Sequence, residues 1–260
     1  MIYAIISDIH SNLEALNAVI KKCSLLGVEQ YICLGDIVGY NANPLECIEI
    51  VRKLPIHTIV KGNHDEYAGS DIRIDGINRS AKESIEWTRL QLNYENRKWL
   101  CENKLKDVNV KDGITAVHAT LDSPEAWNYI FDIKHTVANF SYQMTQFCFY
   151  GHTHIPALFE KDPKITDSSL GIKKIIEWEI ISPSEEVMTF KPIKGKKYLI
   201  NTGSIGQPRN GDTRATFAIF DTKKITLSRY CIKYDIESTQ RKIYDAFLPE
   251  SLAVRLSHGR

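Results

Sequence analysis

The sequence contains no C-x-x-C pair, no surplus of charge and no apolar run of membrane-spanning length. Its six cysteines (Cys23, Cys33, Cys47, Cys101, Cys148, Cys231) are scattered and mostly lie inside apolar runs. That is the habit of small buried hydrophobes, so reduced thiols are expected rather than disulfides or a structural zinc site. Lysine plus arginine (33) nearly balance aspartate plus glutamate (32), leaving a net charge of +1. No basic field is available to draw in a nucleic-acid backbone, and nucleic acid is disfavoured as a main partner. The opening residues Ile2, Tyr3, Ala4, Ile5 and Ile6 lack a basic flank and are too few for a signal segment or a membrane span. A cytoplasmic protein without a membrane partner is therefore expected. There is neither an internal repeat nor a convincing linker. One domain over residues 1–260 is the simplest organisation, with a polar, turn-rich loop insertion near 161–174.

What is present is an alternation of short apolar runs and helical patterns. Asn12 is a good N-cap for a helix whose apolar positions are Leu13, Leu16, Val19, Ile20 and Cys23, and Gly27 closes it. Tyr31 to Leu34 form a second run. Asn43-Pro44-Leu45-Glu46 then opens another helix, with a cap, proline in the first turn and an acidic third position. Thr58 to Val60 form a third run. Strands separated by helices argue for parallel pairing with right-handed crossovers. After a helical pair near residues 80–103, Lys111-Asp112-Gly113 reads as a hairpin turn, and beyond residue 155 the chain becomes largely β before two closing helices. The expected architecture is α/β, with two mixed sheets packed face to face and helices outside.

The chemistry stands at the ends of these runs. They terminate in Asp8 and His10, Asp36, Asn63 and His64, His118, then His152 and His154. Singly, each has a bland reading: Asp8 caps a turn, Asp36 ends a strand, His118 is a satisfied core histidine. Together they place five of the eight histidines at successive strand ends, where open α/β sheets bind ligands. Nitrogen and oxygen ligands without thiolate suit manganese, iron, zinc, cobalt or nickel. The set is too large for one tetrahedral ion but suits two ions sharing a carboxylate, which can hold a bridging hydroxide and clamp a phosphoryl group.

In this order the blocks resemble those of the calcineurin-like metallophosphoesterases. The family's D-x-H, G-D-x-x-G, G-N-H-D, lone His and G-H-T-H stand here as Asp8-Ile9-His10, Gly35-Asp36-Ile37-Val38-Gly39, Gly62-Asn63-His64-Asp65, His118 and Gly151-His152-Thr153-His154. The stretches GDIVGYNANPLEC, NTGSIGQPRNGDTRA and LPESLAVRLSHGR extend the resemblance to a branch of small bacterial and archaeal phosphodiesterases, which includes hydrolases of dinucleoside polyphosphates. The resemblance implies a four-layer αββα sandwich. It also implies two divalent ions, with manganese favoured: Asp8, His10 and His154 on the first, Asn63, His118 and His152 on the second, and Asp36 shared. His64 would lie beside them as a general acid or transition-state stabiliser, with Asp65 either orienting it or capping the next turn.

Protein Ser/Thr phosphatases continue the second block with an aspartate and an arginine, where this chain has Gly39 and Tyr40, which lowers the expectation of a phosphoprotein substrate. Arg209 is a candidate grip on a substrate phosphate, set against a surface salt bridge; Tyr40 and Asn41 are candidate contacts to a base or sugar. Trp127 and Tyr129 could stack on a base, although aromatics in such a segment are more often core. The expected activity is hydrolysis of phosphodiester or pyrophosphate bonds in a small nucleotide by attack of a metal-bridging hydroxide. Phosphomonoesterase, protein phosphatase and nuclease are the enzymatic alternatives, and a non-catalytic scaffold of the same fold is a further one.

Overall fold

A computed structural model describes residues 1–109, 112–165, 171–177 and 187–260. The first strand, β1 (Ile2–Ile6), has no polar alternation because both of its faces are buried. Tyr3 and Ile5 point to one side and Ala4 and Ile6 to the other. The chain continues through α1 (Leu13–Leu25), β2 (Gln30–Cys33), α2 (Pro44–Lys53), β3 (Ile56–Ile59), α3 (Asn63–Gly69), α4 (Arg79–Gln91) and α5 (Tyr94–Glu102). It then forms β4 (Lys106–Asn109), β5 (Ile114–Val117), α6 (Ile133–Tyr142), β6 (Phe147–Tyr150), β7 (Ala157–Lys161), β8 (Ile172–Glu177) and β9 (Val187–Phe190). The last elements are β10 (Lys197–Asn201), β11 (Ala215–Asp221), β12 (Thr226–Ile232), α7 (Ile236–Asp245) and α8 (Glu250–Leu256).

Two six-stranded sheets result, in the orders β3-β2-β1-β11-β12-β9 and β4-β5-β6-β10-β7-β8. Both are mixed: β1, β2 and β3 run parallel while β11 returns antiparallel to β1, and β5, β6 and β10 run parallel while β7 returns antiparallel to β10. The sheets face each other across Tyr3, Ile5, Ile32 and Phe220 of the first and Phe147, Phe149, Leu158 and Tyr198 of the second. On the outer face of the first, Ala4 and Ile6 meet Leu16 and Val19 of α1 and Ile48 and Val51 of α2. On the outer face of the second, Tyr150 and Leu199 meet Phe140 of α6. This is the expected four-layer αββα sandwich.

Helix starts follow their caps. Asn12 Oδ1 accepts from the Ala15 N–H at 3.1 Å, whereas Asn43 stands at the start of α2 but spends its side chain on Glu46, donating to Oε1 at 2.9 Å. Three differences from the sequence reading stand out. The seven-residue α3 and the four-residue edge strand β9 are too short to show a period. Residues 172–174, expected in the surface loop of 161–174, belong to β8 and pair with β7; Lys173 stands opposite Glu160, with Nζ 3.3 Å from its carboxylate. Residues 166–170 of that loop, and Val110 and Lys111 of the β4–β5 hairpin, lie outside the described residues. No helix among the described residues is long and apolar enough to cross a membrane.

Candidate metal centre

The loops leaving β1 and β2 lean on each other through the backbone. Asp8 N–H donates to Gly35 O at 3.0 Å, His10 N–H to Asp36 O at 2.9 Å and Ser11 N–H to Ile37 O at 2.9 Å. In these loops Asp8, His10, Asp36 and Tyr40, and after β6 His152 and His154, hold left-handed backbone angles, with φ between 48° and 66°. Such angles are uncommon outside glycine and concentrate at functional sites. The third loop fits only because residue 62 is glycine, since a Cβ there would lie 2.0 Å from Asp36 Oδ1. On the second sheet, Asn201 at the end of β10 holds the 151–153 turn, its amide donating to Gly151 O at 2.7 Å.

Two groups of ligand-bearing side chains form where these loops meet: Asp8, His10, Asp36 and His154, and Asp36, His118 and His152, with ligand atoms within 4.8 Å of one another in each group. Asp36 belongs to both. All six are buried. Asn63 lies beside them, with its Oδ1 buried and without a hydrogen-bond partner.

The tautomers show what this cluster is built to hold. Nδ1 of His10, His118 and His154 faces the carbonyls of Val38 (3.0 Å), Leu34 (2.7 Å) and Gln207 (2.7 Å), and a carbonyl can only accept. The neutral rings of His10 and His154 therefore aim Nε2 lone pairs inward, and His118 turns its Nε2 inward toward Asp36, 3.3 Å away. His152 is turned the other way: its Nε2 donates to Trp127 O at 2.8 Å, which leaves Nδ1 as its inward atom. Burial pushes His10 well below the ordinary imidazole range, drops His152 to about 3 and lowers His154, so these three rings are neutral near pH 7. His10 Nε2 and His154 Nε2 nevertheless stand 3.0 Å apart, lone pair against lone pair, and among the described residues Asn63 Oδ1 is buried without a partner beside them. A cation resolves the lone-pair conflict and gives the Asn63 oxygen a partner, and outward N–H groups tied to carbonyls are the usual support of metal-binding histidines. The residues fit divalent metal ions.

The carboxylates carry the matching charge. Burial opposes the ionisation of Asp36, but His118 and His64 outweigh it and hold this carboxyl well below its usual range; Asp8 is lowered in the same way by His154. In His118 the penalty of burial is overcome by Asp36, 3.3 Å from Nε2, and the ring is raised to about 9.

His64 belongs to neither group. Its backbone N–H donates to Asp36 Oδ1 at 2.9 Å, its ring packs edge-on to His10 with centroids 4.7 Å apart, and Nδ1 is buried without a partner. Burial lowers the ring to about 4 despite the Asp36 charge. Gly39, at φ 94°, makes room for it: a Cβ there would sit 2.3 Å from His64 Nδ1. Asp65 does not touch that ring. Its Oδ1 accepts from Ile37 and Val38 N–H and its Oδ2 from Gly62 N–H at 3.1 Å, so it braces the second and third loops together.

A cavity of about 340 Å³ opens over the centre, with Asp36, Asn63, His64, His152 and His154 at its base and Tyr40, Tyr129, Arg209 and Arg255 among its walls. Asn41, expected to contact substrate, does not line it. The residue is 1% exposed and its amide donates to His10 O at 2.7 Å, bracing the first loop. Arg209 is half-buried and makes no ion pair with a carboxylate side chain among the described residues; its Nη2 donates to Tyr40 Oη at 3.2 Å and Gln207 Oε1 at 2.9 Å. Tyr129 is 44% exposed and stacks on His152 with centroids 4.2 Å apart, while Trp127 serves through its carbonyl. The sequence reading quoted the LPESLAVRLSHGR stretch that contains Arg255 but gave that residue no role, and it undervalued Tyr129, because neither belongs to a ligand block and only packing brings them to the cavity.

Residues 1–225 match the model of the calcineurin-like phosphoesterase superfamily domain. The chain is 38% identical over 260 residues to an uncharacterized protein of Methanocaldococcus jannaschii, covering 99% of this chain and 98% of the relative. A metallophosphoesterase structure from Sphaerobacter thermophilus superposes with a TM-score of 0.83 at 34% identity, covering 100% of this chain and 99% of that one. A hypothetical protein of Pyrococcus horikoshii shares the fold, with a TM-score of 0.76 at 20% identity and coverage of 100% and 98%.

Proposed function

The chain belongs to the calcineurin-like phosphoesterase superfamily and is a phosphoric ester hydrolase; from that premise we propose that it uses two divalent ions to hydrolyse phosphodiester or pyrophosphate bonds of a small nucleotide. The observation that carries this reading is the pair of buried ligand groups sharing Asp36 at the base of a cavity. Asp8, His10 and His154 would hold one ion, Asn63, His118 and His152 the other, and Asp36 would serve both. When bound, the ions supply Lewis acidity, ionising the attacking water near neutral pH and offsetting charge on the phosphoryl oxygens; manganese is the favoured metal.

The protein's own groups do the rest. His64, held neutral by burial, offers an N–H to the oxygens that gain charge as the phosphoryl group transfers, and acts as a transition-state stabiliser. No carboxylate partners its Nδ1, and Gly39 leaves no space for one, which favours a small substrate over a phosphoprotein. Arg209 reaches the substrate phosphate from the wall, its planar fork matched to oxyanion geometry. Tyr129, stacked on His152 at 4.2 Å and on Phe131 at 5.2 Å, forms an aromatic part of the wall beside the substrate.

Purified protein loaded with manganese should carry about two equivalents of metal and turn over bis(p-nitrophenyl) phosphate. Metal-loaded protein inert under manganese, cobalt, nickel and zinc would overturn the reading. His64→Ala should keep its metal and lose roughly 10²–10⁴-fold in kcat; normal turnover would remove His64 from the mechanism.

A further inference from the structure

One wall of the cavity holds more positive charge than a single phosphate at the metal centre requires. Arg209 and Arg255 both line it, and both face the Tyr40 ring, with guanidinium carbons 5.6 and 6.0 Å from its centroid. They are half-buried, and among the described residues neither makes an ion pair with a carboxylate side chain. Arg209 Nε is buried and unpartnered. Arg255 uses Nε on the backbone oxygen of Arg260, five residues further along the chain. Each guanidinium carries N–H groups left for a ligand, and two like charges brought together away from water repel.

The wall is built. Tyr40 sits in a left-handed turn and packs with Leu252 and Leu256 of α8, which fixes the helix that carries Arg255. Arg209 follows the 201–208 segment, and its backbone N–H faces His154 O at 3.4 Å. The two arginines also stand in order. Arg209 is held beside His154 by this backbone contact, next to the metal centre, whereas Arg255 reaches the wall from the C-terminal helix α8. An anion placed between the guanidiniums removes their repulsion and engages both forks.

We propose that Arg209 and Arg255 form an oxyanion subsite for a second phosphate of the substrate, adjoining the one at the metal centre, and that Arg255 is a specificity-determining residue. The preferred substrate then carries at least two phosphates, and esters with a single phosphate, bis(p-nitrophenyl) phosphate among them, are hydrolysed at a lower kcat/KM. This rests on the phosphoesterase reading above and extends it from reaction to substrate class.

The subsite is tested without metal. Inorganic pyrophosphate is titrated calorimetrically into metal-free wild-type protein and into Arg255→Met, Arg255→Lys and the Arg209→Met/Arg255→Met double variant, with inorganic phosphate as the second ligand. Wild type should bind pyrophosphate more tightly than phosphate. Arg255→Met should weaken pyrophosphate roughly tenfold or more, Arg255→Lys less, and the double variant should abolish binding. Equal pyrophosphate affinity in wild type and Arg255→Met overturns the proposal, as does wild-type protein that does not distinguish the two anions. With metal restored, the ratio of kcat/KM between a nucleoside diphosphate ester and its monophosphate counterpart should fall in Arg255→Met, and an unchanged ratio counts against it. If neither ester is hydrolysed, the phosphoesterase reading fails while the pyrophosphate titration still decides the subsite.

Discussion

The protonation of single rings is the property on which the centre depends. His64 is lowered to about 4 and His152 to about 3, both chiefly by burial, while an unfolded chain takes up these protons near pH 6.5. The sign follows from that difference. Below about pH 6.5 the unfolded chain binds protons that the folded protein refuses, so stability is present in full above that pH and is lost as pH falls toward the folded values. Metal-free His64→Gln should therefore lose about 2 kcal/mol less stability than metal-free wild type between pH 7.5 and 5, read by urea denaturation. Equal losses would show that the ring is not held neutral. At this scale the candidate ligands were legible, because each sits in a short block whose residue types have few other uses in that order. Asn41 was misread since only the left-handed turn at Tyr40 decides that its amide points back to His10. The role of Arg255 was invisible for a similar reason: nothing local to Leu252–Leu256 tells that α8 packs on Tyr40.

Among the elements, the connections after the strands hold the chemistry more tightly than the strands themselves. Gly62 shows how little slack there is. Its φ of −96° suits any residue, so the torsion itself admits alanine, but the added Cβ would lie 2.0 Å from Asp36 Oδ1 and 2.6 Å from the Asp36 backbone nitrogen. Gly62→Ala should keep a native circular dichroism spectrum and bind manganese roughly 10–100-fold more weakly, measured by competition with a chelator. Unchanged affinity would mean that Asp36 can shift without consequence. Long amphipathic helices such as α1 were readable from spacing and caps. The short α3 was not, because it is held by Asp65 reaching back to Gly62 N–H and across to Ile37 and Val38, rather than by an apolar stripe of its own.

Seen as a whole, the molecule places its candidate ligands across a seam. Asp8, His10, Asp36 and Asn63 follow strands of the first sheet, and His118, His152 and His154 follow strands of the second. Bound metal therefore ties the two sheets to each other and stabilises only the folded state. At metal concentrations about 1,000 times Kd the linkage amounts to roughly 4 kcal/mol. A chelator should lower Tm by several degrees, added manganese should restore it, and His118→Ala should show a smaller chelator effect; a chelator-insensitive Tm would deny the metal a structural share. The sandwich was legible from the switch between a helix-rich first half and a β-rich second half. Strand order was not, since the partners of β1 and β6 that complete each sheet lie far along the chain.

That order has a consequence for how the protein matures. β1 stands between β2 and β11, and β6 between β5 and β10, so both sheets are closed by strands that follow the last ligand, His154. Every candidate ligand precedes, along the chain, the strands that complete the scaffold aligning them. Pairings so distant in sequence form slowly. Metal capture is thus a late event in folding, and manganese present from the start of refolding should raise the yield of native protein without hastening its appearance.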